Sequence, residues 1–178
     1  MAKGKEEQVP TTVITDEMRK AIGGELGRMV SFPISDSDIR RWAIAVYYPD
    51  DPPRMFWDAE DAARTVNGGI VAPEEFNPFA WMSAGGPQHR ATGHNPDMTE
   101  QTLGIEGPGL KFQLNGGMET EYGVRMRQGD VITSVRRLAG YSEREGRLGL
   151  MLFTVSEDVW TNQNDELVKS TKSTLIRY

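Results

Sequence analysis

The chain changes its hydrophobic rhythm at about residue 115. Before that point apolar residues recur at helical spacing in short stretches interrupted by Pro and Gly. Beyond it they gather in blocks rich in Val, Ile, Leu, Phe, Tyr and Thr. The clearest helical pattern is Ile39, Trp42, Ala43, Val46 and Tyr47, which gives a helix one apolar face that must pack on a neighbour. Ser35 followed by Asp38 resembles a capping box with Asp in place of Glu or Gln, and Pro49, Pro52 and Pro53 stop the helix. Thr15-Asp16 predicts the start of an earlier helix reaching about Arg28, against the tendency of Gly23 and Gly24. Asp58 predicts a third over 59–66, ended by Asn67-Gly68-Gly69, and Pro73 predicts the start of a fourth over about 74–82.

Residues 1–14 follow neither period and read as a flexible N-terminal arm, leaving 15–178 as one domain. Within it, 83–115 is rich in Gly, Pro, Asn and Gln and reads as a long loop, a length that points to a functional lid or partial disorder. Strands are predicted at 118–124, 131–138, 148–160 and 167–176. Asn164-Asp165 predicts a hairpin between the last two, with a turn that tolerates positive backbone angles. The stretch 148–155, with Met151 and Phe153, is apolar enough to need cover from an associating unit if it lies at a sheet edge. Helices followed by antiparallel strands predict an α+β domain, and the lack of an internal repeat predicts a single unit.

A length of 178 residues suits one medium-sized domain. The net charge of -6, with basic residues interleaved among acidic ones as in Glu143-Arg144-Glu145, argues against a nucleic-acid partner. The absence of Cys excludes disulfides and thiolate metal sites. Residues 1–10 lack the apolar core of a signal peptide, and no apolar run is long enough for a membrane span. These features predict a cytoplasmic protein without a membrane partner. The two histidines, His89 and His94, are expected in an exposed loop. Their spacing is not that of a helical metal pair, and no metal site is expected.

Between residues 47 and 82 the chain reads Tyr47-Tyr48-Pro49-Asp50-Asp51-Pro52-Pro53-Arg54-Met55-Phe56-Trp57-Asp58, then Gly68-Gly69-Ile70-Val71-Ala72-Pro73, then Phe76-Asn77-Pro78-Phe79-Ala80-Trp81. Farther on come Gly116-Gly117-Met118, Arg127-Gln128-Gly129-Asp130-Val131-Ile132, Arg147-Leu148-Gly149-Leu150-Met151 and Thr161-Asn162-Gln163-Asn164-Asp165. In order and spacing these segments resemble the N-terminal, FAS1-like type of MaoC-like dehydratase domain. The resemblance covers 16–178 and implies a single hot-dog fold, an antiparallel sheet wrapped around a central helix, here 74–82.

For function the resemblance implies an (R)-specific enoyl-CoA hydratase or 3-hydroxyacyl thioester dehydratase, a lyase of lipid metabolism that needs no cofactor. Water addition to an enoyl thioester requires a group to deprotonate water, a proton donor for the α-carbon and donors to the thioester oxygen. Family members supply an Asp and, five residues later, a His, in Gly-Asp-x-Asn-Pro-x-His. Here Asp50 or Asp51 takes the Asp place, while the His place holds Met55 or Phe56. These aspartates, set among prolines, also make an ordinary turn. Ala72, Glu74, Glu75, Phe76 and Phe79, at the start of the expected central helix, would bind the acyl thioester, its N–H groups facing the thioester oxygen. Core packing is the ordinary alternative for Phe76, Phe79 and Trp81. The resemblance therefore implies an acyl-pocket-forming subunit, binding acyl-CoA or an acyl carrier protein thioester beside a catalytic MaoC-like hot-dog chain in a hetero-oligomer. The alternatives are a self-sufficient homodimer using His89 or His94 and a non-enzymatic acyl-CoA binding module.

Overall fold

The computed structural model of the chain describes residues 12–80, 95–147 and 149–178. Its helices are α1 Asp16–Lys20, α2 Asp36–Tyr47, α3 Ala59–Ala63 and α4 Met98–Thr102. Its strands are β1 Glu25–Val30, β2 Gln113–Tyr122, β3 Thr133–Gly146, β4 Gly149–Thr161 and β5 Leu167–Arg177. The strands form one antiparallel sheet in the order β1-β3-β4-β5-β2.

Local signals act as expected where they concern caps and turns. The Ser35 hydroxyl accepts from Asp38 N at 3.2 Å and lies 2.7 Å from Asp38 Oδ2, opening α2. Asp58 Oδ1 accepts from the N–H groups of Glu60 and Asp61 at the start of α3. In the β4–β5 hairpin Asp165 adopts φ 60°, and Asn162 Oδ1 accepts from Asn164 N and Glu166 N, which closes the turn.

Other expectations are corrected. The first helix does not reach Arg28. It stops at Lys20, and Gly23, at φ 90°, turns the chain so that its N–H donates to Leu138 O and Leu138 N donates back to Gly24 O. Pairing with β3 then captures the next residues as β1. Over 74–79 the fourth helix is replaced by turns, with Phe76 N bonded to Pro73 O and Ala80 N to Asn77 O, and Ala80 is the first residue in 3-10 conformation. Pro78 explains this: it has no N–H for the Glu74 carbonyl, its ring crowds that carbonyl, and it draws Asn77 away from helical angles. The Asn77 side chain accepts from Phe79 N instead. The stretch expected as the loop 83–115 contains α4 and the start of β2, while 81–94, with His89 and His94, lies outside the described residues. The apolar stretch 149–155 belongs to β4, which is flanked by β3 and β5, so β1 and β2 are the sheet's edges.

The inner face of the sheet is packed at its two ends by different means. At one end Ile39 and Ala43 of α2 meet Phe56, Val71, Ala72, Phe76, Phe79, Ile132 and Trp160 in an apolar cluster. Phe79 and Phe76 set their rings edge-on to Trp160 and Trp42, at centroid distances of 5.0 and 5.7 Å. At the other end Arg177, the last residue of β5, is wholly buried with Glu100 of α4. Arg177 Nη1 and Nη2 donate to Glu100 Oε2 and Oε1 at 2.8 and 2.7 Å, and Nη2 also donates to Thr154 Oγ1. A bulge between Leu138 and Gly140 shifts the phase of β3. Beyond it the Tyr141 hydroxyl donates to Glu100 Oε1 at 2.6 Å, and Glu143 accepts from the N–H groups of Val13 and Ile14.

Burial alone pushes the Glu100 carboxyl up, but the bonds from Arg177 and Tyr141 outweigh it and hold the group below the usual carboxylate range. Burial, and next the bond to Glu100, raise the Tyr141 phenol. Two consequences are expected. Glu100→Gln leaves a buried guanidinium unpaired and costs about 3–5 kcal/mol in urea unfolding, more than Tyr141→Phe at about 1–3 kcal/mol. Because the folded Glu100 is the stronger acid, its contribution is complete above the ordinary value of about 4.3 and is lost as pH falls through the lower folded value. Tyr141 has the opposite sign, and its contribution declines as pH rises above about 10. Urea midpoints across this range check both, and equal costs for the two substitutions would contradict the anchoring role of the pair.

Candidate functional site

The segment after α2 places the candidate aspartates in a surface turn. A cis Tyr48–Pro49 bond precedes them, Asp50 N donates to Tyr47 O at 2.9 Å, and both carboxylates are exposed. The following 3-10 turn, Arg54–Phe56, carries the residues at the place of the missing histidine. Phe56 points into the apolar cluster, its ring 5.9 Å from that of Tyr47, and Met55 packs partly buried against the same cluster. Of the two candidates for that place, Phe56 is part of the core and Met55 borders it.

The residues expected to bind the thioester separate into two kinds. Ala72 is buried and its N–H donates to Met126 O at 2.8 Å, while Phe76 and Phe79 fill the core. Those three build the cluster that holds the segment in place. Glu74 and Glu75 face outward: Glu74 Oε1 accepts from Arg125 Nη1 at 2.6 Å, and Glu75 lies 3.8 Å from Lys169 Nζ. Lys169 also stands 4.2 Å over the Trp160 ring. Residues 74–79 are turns and a 3-10 turn begins only at Ala80, so Glu74 and Glu75 do not stand in the first turn of a helix.

Between the two packed ends, the inner face carries a polar strip that the sequence reading did not single out. Arg136 of β3 donates from Nε and Nη2 to Ser156 Oγ at 3.3 and 3.0 Å, and Ser134 Oγ donates to Asp158 Oδ1 at 2.6 Å. Ser173 and Thr171 of β5 and Met118 and Thr120 of β2 continue it across the sheet. Its one sequence signal was a set of polar residues at alternating positions, Ser134 and Arg136 in β3 and Ser156 and Asp158 in β4, where a filled core would place apolar ones. Cavities of about 410 and 330 Å³ open along this strip. Among the described residues no three acidic or imidazole groups come together as a metal-ligand set.

A family model of the FAS1-like dehydratase domain region matches residues 20–171. The chain belongs to that family. Its fold agrees with solved structures of low sequence identity. One is the ChsH1-ChsH2 complex of Mycobacterium tuberculosis, at TM-score 0.58 and 18% identity, covering 87% of this chain and 84% of that one. Another is a MaoC-like dehydratase of Rhodospirillum rubrum, at TM-score 0.53 and 17% identity, covering 89% and 92%. A third is the R-hydratase PhaJ1 of Pseudomonas aeruginosa, at TM-score 0.53 and 15% identity, covering 88% and 81%. No curated protein matches the chain.

As a FAS1-like dehydratase domain, the chain thus has the single hot-dog sheet that the resemblance implied, with different packing at 74–80. No helix among the described residues is long and apolar enough to cross a membrane. The geometry separates structural from surface positions in a measurable way. Phe76→Ala is expected to cost about 3–5 kcal/mol, the range for removing a buried aromatic ring. Asp50→Asn and Asp51→Asn should each stay within about 0.5 kcal/mol of the parent. Chemical denaturation reads all three, and a large loss in either Asp variant would show that the turn is more than a surface feature.

Proposed function

We propose that the chain is the acyl-pocket-forming subunit of an (R)-specific enoyl-CoA hydratase or 3-hydroxyacyl thioester dehydratase, acting beside a catalytic MaoC-like hot-dog chain. The observation that carries this reading is Phe56. The place of the family's histidine falls on Phe56, a buried phenyl ring, or on the partly buried Met55 before it, so among the described residues the Asp50-Asp51 turn has no imidazole to complete an acid-base pair. A chain of this family without that pair still offers a sheet face lined by cavities, which suits a role in shaping the space for the acyl group. The catalytic Asp and His then come from the partner.

Two further observations support a partner. Solved structures of similar fold include assemblies of paired chains, ChsH1-ChsH2 and HadBC, both from Mycobacterium tuberculosis, the latter a (3R)-hydroxyacyl-ACP dehydratase. Among the described residues β2 is bonded on one side only, to β5, and presents exposed Leu114, Met118 and Tyr122 along an open edge. An exposed edge with apolar side chains is suited to pairing with another strand. A cytoplasmic site of action and an acyl-CoA or acyl carrier protein thioester as ligand belong to the same proposal.

The purified chain alone is expected to show negligible hydration of crotonyl-CoA or bulkier enoyl-CoAs and to gain activity with a catalytic MaoC-like partner. Supplying a positioned acid and base is worth about a hundredfold to ten-thousandfold in rate. Full turnover by the chain alone would overturn the subunit role. Its loss in His89→Ala or His94→Ala would identify the self-sufficient homodimer. Acyl-CoA binding with no activity beside any partner would leave a binding module.

A further inference from the structure

Arg136 stands exposed in the middle of the sheet's inner face. Cavities of about 340, 410 and 330 Å³ run along that face, successive ones share lining residues, and Arg136 lines all three. Each is within the range of about 300–1,000 Å³ that ligand clefts occupy. Among the described residues Arg136 has no ion pair, and its hydrogen bonds go to Ser156 Oγ alone. Asp158 stands directly across the ladder from Arg136 but accepts from Ser134 instead. The neighbouring cation, Lys169, already has Glu75 and the Trp160 ring.

We propose that this strip is a carboxylate-binding site, and that the acyl group received by this unit carries a carboxylate held by Arg136. The inference rests on the acyl-thioester reading above and names its substrate class. A plain hydrocarbon chain laid over Arg136, Ser134, Ser156 and Ser173 would strip water from a guanidinium and several hydroxyls and return no hydrogen bonds. A carboxylate reverses that balance. Ser156 engages Nε and one N–H of Nη2, so three of the five guanidinium N–H groups remain, and the edge formed by Nη1 and Nη2 matches the two oxygens of a carboxylate. Met98 and Leu175 beside one cavity and Met118 beside the next supply apolar contact for the stem of such a group.

The phosphates of CoA offer a similar anion, so the test separates the two sources. Calorimetry on the full chain compares suberyl-CoA, octanoyl-CoA of the same chain length, and free CoA. Suberyl-CoA is expected to bind at least tenfold more tightly than octanoyl-CoA, with the difference gone in Arg136→Gln and partly kept in Arg136→Lys. Equal binding of the two thioesters, or a preference that survives Arg136→Gln, overturns the proposal. So does free CoA binding as tightly as suberyl-CoA and weakening in Arg136→Gln, which would assign Arg136 to phosphate. Binding of neither thioester would sink the functional reading itself. The site is then tested apart from it by titrating free suberate against the Arg136 Nε–H resonance, where a saturable shift supports a carboxylate site and no shift overturns it.

Discussion

The buried contact between Arg177 and Glu100 determines how this chain closes. A guanidinium with no exposed surface requires a carboxylate, and Glu100 provides one by placing α4 against the end of β5. Thr154, Tyr141, Asp97 and the Pro96 carbonyl then share the remaining bonds. The chain leaving α4 is consequently delivered to the rim of the sheet where β2 begins. Gln113 pairs with Arg177 itself, Phe112 and Tyr178 exchange backbone bonds of 3.1 Å, and their rings stack at 5.6 Å. One ion pair thus fixes a helix, an edge strand and the register between them.

This arrangement has a consequence for the inner face. The apolar end is closed by α2 and the turns of 71–79, the other by α4 and the ion pair. Among the described residues neither end extends over the strip of Ser134, Arg136, Ser156 and Ser173. Pro78 is part of the cause, because it prevents a helix from running on through 74–80 and substitutes two tight turns that end at Phe79 on Trp160. A proline and an ion pair, far apart in sequence, together bound a polar-lined space between two packed regions.

What could be read from the sequence follows the range of the forces involved. Caps and turns are set within a few residues, and Ser35, Asp58 and Asn164-Asp165 were readable for that reason. The long strands β3, β4 and β5 carry enough Val, Ile, Phe and Thr for composition to identify them. β1 was misread as helix because its identity depends on pairing with β3, and Gly23 gave only a weak local hint. α4 escaped notice because it is a five-residue helix without a side-chain cap and is held by the distant Arg177. The order of strands also lay beyond local pattern, since nothing in the apolar run of β4 distinguishes a central strand from a covered edge.

The candidate site was legible in outline and misread in detail for a related reason. The turn at Asp50-Asp51 was readable from its prolines, because a turn is set within a few residues. The roles assigned to 72–79 depended on a helix that Pro78 does not allow. Phe56 shows why the gap is structural and not only a change of side chain. Its ring is packed between α2 and the 71–79 segment, where an imidazole would lose the solvation it needs to exchange protons near neutral pH. The aromatic core of this unit therefore takes up the 3-10 turn that follows the Asp50-Asp51 turn, leaving the two aspartates on the surface.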